Sequence, residues 1–387
     1  MKVLWLCSWY PNSKDPFDGD FIERHARSLA TQQELDVIHV VQNLNILKAE
    51  GYRSEERFEH NIRAKVYFIP VMPFLGKKIN SVIFNYRYFK TIHKILKEYV
   101  AKNGLPDIVH VHVPVKLGVG AIWLKRKFNI PFVVTEHSTG YFQNSHDNYF
   151  DNGFQFKYVT KKSFAEATAV ASVSDHLMRV LNNLFPIKRT YLIRNSVNTD
   201  FFYPLDTDNS IKRFLHVSMM VPFKNIEGIL NGLAILNVTN DAWHMVFVGP
   251  ASSHQIELAV SLGIDQKITW KGVLPYVEVA KEMQQADALI HFSKYENLPC
   301  VIGEALCCGI PVISSDVGGI AELVNINNGI LVQEGNIEEL VTAMSNFLNK
   351  KLQYNKRSIS LGASALLNYE TIGRQILKMY DDVVRPD

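Results

Sequence analysis

The sequence predicts two α/β domains, each a parallel β-sheet covered on both faces by helices. Three observations lead there. Short β-branched apolar runs alternate with longer amphipathic stretches, and the alternation starts afresh after a polar segment at the midpoint. The chain of 387 residues is also too long for one ordinary core.

In the first half, strands are expected at Val3–Cys7, Val37–Val41, Ala64–Ile69, Ile108–Val111, Phe132–Thr135 and Ala169–Val173. Amphipathic periodicity predicts helices over Phe21–Thr31, Ile79–Val100, Lys116–Phe128 and Asp175–Leu184. In the second half, strands are expected at Arg213–Val217, His244–Val248, Lys267–Trp270, Ala288–His291 and Val312–Ser314. Helices follow at Ile226–Leu236, Ser253–Leu262, Val277–Gln285, Pro299–Cys308 and Ile337–Asn349. Pro299 is expected in a first helical turn, and Gly309 at that helix's end. The domain assignment is 1–193, a linker at 194–204 ending on Pro204, a second domain at 205–369, and a C-terminal helix at 370–387 returning to the first. Ligands of open parallel sheets bind beyond the carboxyl ends of the strands, so a central cleft is expected to hold the site.

Composition, 47% hydrophobic and 20% charged, is that of a soluble globular protein. No run of about 18 apolar residues occurs, which argues against a spanning helix. The start, MKVLWLCSWYP, has too short an apolar stretch for a leader, holds Trp5 and Trp9, and reads as a buried strand. Cys7, Cys300, Cys307 and Cys308 have neither zinc-ligand nor disulfide spacing, and reduced thiols in a cytoplasmic protein are expected. Residues 1–190 carry 26 Lys and Arg against 17 Asp and Glu, and residues 191–387 carry 15 against 21. The basic half should face something anionic, such as a membrane surface or a phosphorylated acceptor. Its cations are scattered over several helices and no binding motif accompanies them, so nucleic acid is not expected as a partner.

The strongest local signal is Ser293-Lys-Tyr-Glu-Asn-Leu-Pro-Cys-Val-Ile-Gly-Glu-Ala-Leu-Cys-Cys-Gly-Ile-Pro-Val-Ile-Ser-Ser-Asp-Val-Gly-Gly-Ile-Ala-Glu322. It places Glu296 in a strand-to-helix loop and Glu304 on the following helix, with seven residues between them. A carboxylate there can accept from two hydroxyls of a ribose, each bond contributing about 1.5–3 kcal/mol. Two glutamates alone more readily answer a helix dipole, worth about 0.3–1 kcal/mol. Nearby glycines tip the balance. Gly318-Gly319 before a short helix resembles an anion cradle, and Val248-Gly249-Pro250 ends a strand with a close-approach glycine. Lys224, in Ser218-Met-Met-Val-Pro-Phe-Lys-Asn-Ile226, stands before a helix, where a lysine can reach a diphosphate but is more often simply solvated.

Together these residues resemble the retaining, nucleotide-sugar-dependent glycosyltransferases of the GT-B fold, family 4 (glycosyl transferases group 1). The resemblance spans nearly the whole chain. It includes Phe17-Asp-Gly-Asp-Phe-Ile-Glu-Arg-His25, Pro106-Asp-Ile-Val-His-Val-His112, Pro131-Phe-Val-Val-Thr-Glu-His137, Ala171-Ser-Val-Ser-Asp-His176 and Asn195-Ser-Val-Asn-Thr-Asp-Phe-Phe-Tyr-Pro204. It implies two Rossmann-like domains facing a central cleft. It further implies that Glu304 binds the ribose, that Glu296 holds hydroxyls of the donor sugar, and that Asn297-Leu298-Pro299 line the sugar pocket. Lys224 would neutralise the diphosphate, helped by N–H groups near Gly19 and Gly318-Gly319-Ile320. Gly249 closes the neighbouring strand, Gly272-Val273-Leu274 would read the base, and His137 would sit beside the donor sugar. The implied activity moves a hexose or N-acetylhexosamine from a UDP- or GDP-sugar to a glycan or lipid-linked acceptor in surface polysaccharide or glycolipid assembly. No metal or other cofactor is implied; the expected location is cytoplasmic, with a peripheral place on the inner membrane face left open.

Three positions depart from the family's pattern. Met219 replaces the family's usual Arg, leaving Arg24 or Arg87 to supply the cation, and Ser218 replaces its Gly. Asn297 also stands where Gly is commoner. Asp18-Gly-Asp20 and Asp206-Thr-Asp208 spell the metal-binding D-x-D of other glycosyltransferases, but their context is that of turns. The stretch Phe74–Lys97 mixes cations with aromatics at helical spacing, as a bilayer-lying helix does, and equally as a buried helix with one basic face does. A nucleotide-sugar epimerase of the same fold and a non-catalytic nucleotide-sugar-binding scaffold are the competing readings.

Overall fold

The computed structural model describes residues 1–43, 52–70, 77–143, 145, 148–206, 211–350 and 353–385, without the side chains of 43 and 77–87. It divides into two compact units, Met1–Arg194 with Tyr369–Asp387, and Asn195–Asn368.

The first unit runs β1 (Val3–Cys7), α1 (Asp20–Ala30), β2 (Leu35–Asn43), β3 (Arg53–Glu59), β4 (Ile62–Pro70), α2 (Lys77–Asn103) and β5 (Ile108–His112), followed by α3 (Pro114–Phe128), β6 (Phe132–Glu136), α4 (Phe154–Glu166), β7 (Ala169–Ser172), α5 (Asp175–Leu184) and β8 (Thr190–Leu192). Its sheet has the order β3-β4-β2-β1-β5-β6-β7-β8. The central strands β1, β5, β6 and β7 are buried along their whole length, which explains their unbroken apolar runs. In register, Cys7 lies opposite His39 and His112, and His112 opposite Thr135. The carboxyl ends of four strands therefore gather histidines and Glu136 at one edge. The helices are set by local chemistry. Ser174 caps α5 by accepting from Leu177 N–H at 3.0 Å, and Gly19 starts α1 from a left-handed turn.

The second unit runs β9 (Lys212–Val217), α6 (Ile226–Thr239), β10 (Trp243–Val248), α7 (Ser253–Ser261), β11 (Ile268–Trp270), α8 (Tyr276–Gln285), β12 (Ala288–His291), α9 (Cys300–Cys307), β13 (Val312–Ser315), β14 (Gly329–Val332), α10 (Ile337–Leu348) and α11 (Lys356–Leu367). Its sheet order is β11-β10-β9-β12-β13-β14, parallel throughout. Residues read as linker take part in this unit: Val197 bridges Asn368, and Phe202 is fully buried against Tyr276.

The last helix, α12 (Tyr369–Val384), belongs to the first unit. Ile372, Ile376, Met379, Tyr380 and Val383 form its buried stripe. Gly373 lets it approach α1 so closely that a Cβ would stand 2.2 Å from Ser28 O. Tyr380 reaches the sheet: Trp5 Nε1–H donates to its hydroxyl at 2.9 Å, and the hydroxyl donates to His110 Nδ1 at 2.6 Å. His110 Nε2–H then donates to Thr135 Oγ1 at 2.6 Å.

Two expectations need correction. β3 runs antiparallel to β4, so the first sheet is not wholly parallel. β3 is a charged, exposed edge strand, RSEERFE, a composition that protects an edge from pairing with other chains. Pro299 is not inside α9 but caps it in an extended conformation, while Gly309, at φ +74°, follows the helix end as expected. Among the described residues no helix is long and apolar enough to cross a membrane.

Replacing Tyr380 by Phe leaves Trp5 Nε1–H and His110 Nδ1 buried without partners, at about 1–3 kcal/mol each. Thermal unfolding of Tyr380→Phe should show the first unit destabilised by at least about 2 kcal/mol; an unchanged midpoint would show that this hydrogen-bonded chain does not fasten α12.

Candidate active site

The carboxyl edge of the second sheet carries two fully buried histidines, His216 on β9 and His291 at the end of β12, stacked with ring centroids 6.1 Å apart. His216 Nδ1–H donates to Ile290 O at 2.9 Å, and Nε2 accepts from the Ser218 hydroxyl at 2.7 Å. Ser218 Oγ in turn accepts the Met220 N–H at 2.9 Å. Burial, with the neighbouring His291, pushes His216 down to about 3, which keeps it neutral, and the Ile290 carbonyl, which can only accept, fixes the tautomer. Ser218 therefore acts structurally: its hydroxyl links His216 to Met220, a residue held at the left-handed φ of +50°. The adjoining Met219 is 55% exposed.

Glu296 sits in the loop after β12, 7% exposed, between the Lys224 ammonium and His291 Nε2–H, which donates to it at 2.9 Å. Burial alone would raise this carboxyl. The Lys224 charge, with the His291 hydrogen bond, outweighs burial and holds it down at about 2. Lys224 comes from the short 3-10 turn Pro222–Lys224, and that turn is tied to the Glu296 loop. Lys294 N–H donates to Phe223 O at 2.8 Å, and Phe223 stacks on Tyr295 with centroids 4.5 Å apart. The sequence assigned Lys224 to a diphosphate; in the structure its nearest charge is Glu296.

The glycine pair has a different job from the anion cradle expected of it. Gly318, at φ +61°, lies against the Glu296 backbone, where a Cβ would stand 1.9 Å from Glu296 O. Gly319 N–H donates to Asn297 O at 2.8 Å and Ile320 N–H to Val317 O at 3.3 Å, so neither is directed at a ligand. Asn195 Nδ2–H donates to Leu298 O at 2.8 Å, fastening the same loop from its other side. Asn297 and Leu298 are buried and Pro299 partly so. Glu304 lies on α9, 2% exposed. Gly249 N–H donates to Gly272 O at 2.8 Å, and a Cβ on Gly249 would meet Ser218 O at 1.8 Å. These contacts pin the β9, β10 and β11 loops together, with Val273 exposed and Leu274 partly buried beyond them.

In the first unit, His137 follows β6 and is 9% exposed. Its Nε2 lies 3.1 Å from His112 Nδ1, and its ring stands 4.9 Å from Phe21 and 5.2 Å from His25. Its backbone N–H donates to Glu136 Oε1 at 2.8 Å, as does Ser138 N–H at 2.9 Å, while the Tyr141 hydroxyl donates to Oε2 at 2.7 Å. Glu136 thus shapes the His137 loop, a role the sequence gave no reason to assign. Burial pushes its carboxyl up to about 7 against those hydrogen bonds. Gly19 packs on Trp9, where a Cβ would stand 2.7 Å from the Trp9 backbone.

The Asp18-Gly-Asp20 pair is divided between partners: Asp18 lies 3.4 Å from His39 Nε2, and Asp20 3.4 Å from Arg24. Arg24 is buried and faces Asp20. The Arg87 side chain and residues 207 and 208 lie outside the described residues. Among the described residues no group of three or more His, Cys, Asp or Glu is placed to hold a metal ion.

Two family models match the chain: Glycosyltransferase Family 4 over residues 20–201, and Glycosyl transferases group 1 over residues 200–361. A Bacillus subtilis (strain 168) protein named as a teichuronic acid biosynthesis glycosyltransferase is 24% identical over 371 residues, covering 91% of this chain and 90% of its own. The N-acetyl-alpha-D-glucosaminyl L-malate synthase of Bacillus anthracis is 23% identical over 304 residues, covering 74% of this chain and 78% of its own. Among solved structures, sucrose-phosphate synthase from Thermosynechococcus elongatus superposes with a TM-score of 0.76 at 20% identity over 100% of both chains. Anabaena HepE in complex with UDP-glucose superposes with a TM-score of 0.71 at 18% identity, over 99% of this chain and 100% of that one.

Two measurements test these side-chain assignments. Lys224→Met leaves the Glu296 charge buried without its cation and should cost about 3–5 kcal/mol in stability, while Lys224→Met with Glu296→Gln should recover part of it. A single-variant loss below about 1 kcal/mol would show the pair to be loosely held. Glu136, at about 7 in the folded protein against an ordinary 4.5, keeps a proton that the unfolded chain releases. Stability should therefore fall as pH rises between those values, and Glu136→Gln should flatten that dependence in thermal melts. Equal slopes for variant and wild type would contradict it.

Proposed function

Because the chain belongs to the GT-B glycosyltransferases of family 4, we propose that it is a retaining, metal-independent transferase. In this reading it moves a hexose or N-acetylhexosamine from a UDP- or GDP-sugar to a glycan or lipid-linked acceptor. One observation carries the proposal: Glu296, ionised and nearly buried at the carboxyl edge of a parallel sheet, precedes a helix bearing the buried Glu304. Glu304 accepts from the ribose hydroxyls and Glu296 from hydroxyls of the transferred sugar. Lys224 keeps Glu296 charged and turns its remaining donors to the diphosphate, since an ammonium has three. The loop Asn297-Leu298-Pro299, braced by Gly318 and Gly319, forms the wall of the sugar pocket, and the Gly249–Gly272 bridge supports Val273 and Leu274 beside the base. Gly19 and His137 keep the donor-side roles that the family resemblance implies.

Retention follows in this reading if a donor phosphate oxygen takes the acceptor proton on the face from which the diphosphate departs. The protein's share is then positioning and the stabilisation of charge on the leaving group. The structures of HepE with UDP and with UDP-glucose support a nucleotide-sugar donor. The teichuronic acid relative supports a role in surface polysaccharide assembly.

A panel of UDP-, GDP- and ADP-sugars scored by thermal stabilisation tests the assignment. One UDP- or GDP-sugar should raise the melting temperature, with or without EDTA, and Glu304→Ala should weaken it about tenfold or more, the worth of one charge-assisted hydrogen bond. His137→Ala and Glu296→Ala should lower turnover more than nucleotide binding. Undiminished donor affinity in Glu304→Ala, or loss of turnover with EDTA, would overturn the corresponding role.

A further inference from the structure

On the helical side of the first unit, α2, α3 and α4 line a solvent-open cavity of about 440 Å³, within the usual span of ligand pockets. Its walls are apolar and aromatic: Phe89 from α2, Val119, Ile122 and Trp123 from α3, and Val159 from α4. Arg126, Lys127 and Lys162 stand among its lining residues. Arg126 is neutralised by Glu166. Among the described residues no carboxylate pairs with the other two cations. Lys127 lies over the Trp123 ring at 5.3 Å; Lys162 lies over Tyr158 at 5.1 Å and donates to its hydroxyl at 2.8 Å.

Outside the cavity, α4 presents aromatic side chains outward. Phe154 is 81% exposed and stacks on Tyr158, itself 52% exposed. Phe150, just before the helix, is 44% exposed, and Lys157 and Lys161 are interleaved with these rings. A phenylalanine left in water forgoes about 1.5–3 kcal/mol of burial, so an apolar surface that meets it is indicated. The chemistry selects the partner. The cores of protein interfaces are depleted in lysine, whereas a bilayer surface accepts aromatic rings at the headgroup level together with lysines that extend to the phosphates. Ammonium groups without carboxylate partners beside an apolar cavity match an anionic headgroup attached to an acyl chain.

We propose that this face of α3 and α4 docks on an anionic lipid bilayer, the cavity receiving one acyl chain while Lys127 and Lys162 hold the phosphate of that lipid. It differs from the Phe74–Lys97 stretch that the sequence singled out, from which, among the described residues, it takes Phe89 and His93. The inference deepens the lipid-linked-acceptor reading and rests on it for its purpose, since a transferase seated here would meet its acceptor at the membrane.

The test uses the full-length protein and vesicles of phosphatidylcholine with or without phosphatidylglycerol, in the absence of any sugar donor. Binding should require phosphatidylglycerol, weaken with salt, and fall about tenfold or more in the Lys127→Ala, Lys162→Ala double variant. Phosphatidylglycerol brominated in its acyl chains should quench Trp123 fluorescence, and Trp123→Phe should abolish that quenching while still binding. Failure to bind anionic vesicles, or binding with Trp123 unquenched and the lysine variant unaffected, overturns the proposal. Donor-induced thermal stabilisation is measured separately, so loss of the membrane site and loss of the transferase reading give different results.

Discussion

A nearly buried carboxylate held in its charged form organises the second unit. Glu296 lies between the Lys224 ammonium and His291, and each partner is fixed by something further out. Lys224 stands on a turn that accepts from Lys294 and stacks Phe223 on Tyr295. His291 stacks on His216, which Ile290 O and Ser218 hold in one tautomer. Removing an ion from water is costly, and the cost is offset only when the surrounding donors are fixed in place. The glycines at 249 and 318 follow from this requirement, because the loops bearing Ser218 and Glu296 pass too close to admit a Cβ. In the proposed role, the same fixed charge would meet a sugar hydroxyl without reorganisation on binding.

The first unit solves a related problem with neutral groups. Burial lowers the affinity of His25, His110 and His112 for protons, so they sit uncharged at the sheet edge. Glu136 answers three donors of the loop that follows β6 and thereby positions His137. Tyr380 on the last helix completes the chain from Trp5 to Thr135. A single helix from the far end of the chain thus becomes part of the core beneath the edge that carries His137.

Much of this fold is legible in the sequence because the central strands are buried on both faces, and runs such as Val3–Cys7 and Ala288–His291 then stand out. Elements that break the rule were not legible. β3 carries charge on nearly every residue, and its antiparallel pairing with β4 comes from position at the sheet edge. In α4 the exposed Phe154 and Tyr158 spoil the periodicity by which a core-facing stripe is recognised. At the site, spacing alone singled out Glu296, Glu304 and the paired glycines. It could not show that Gly319 N–H is engaged by Asn297 O, or that Lys224 turns to Glu296, because both depend on two loops meeting in space. His216, His291 and Glu136 were hidden for another reason: a polar residue at the end of a buried strand reads as ordinary core until its partners are seen.

The central claim is that Glu296 and Glu304 divide the donor between them, the first on the sugar and the second on the ribose. Titration calorimetry of Glu296→Gln with the nucleoside diphosphate, and then with its sugar conjugate, tests that division most directly. The account predicts unchanged affinity for the nucleoside diphosphate and loss of the extra affinity contributed by the sugar. Equal weakening of both ligands, or of neither, would contradict it.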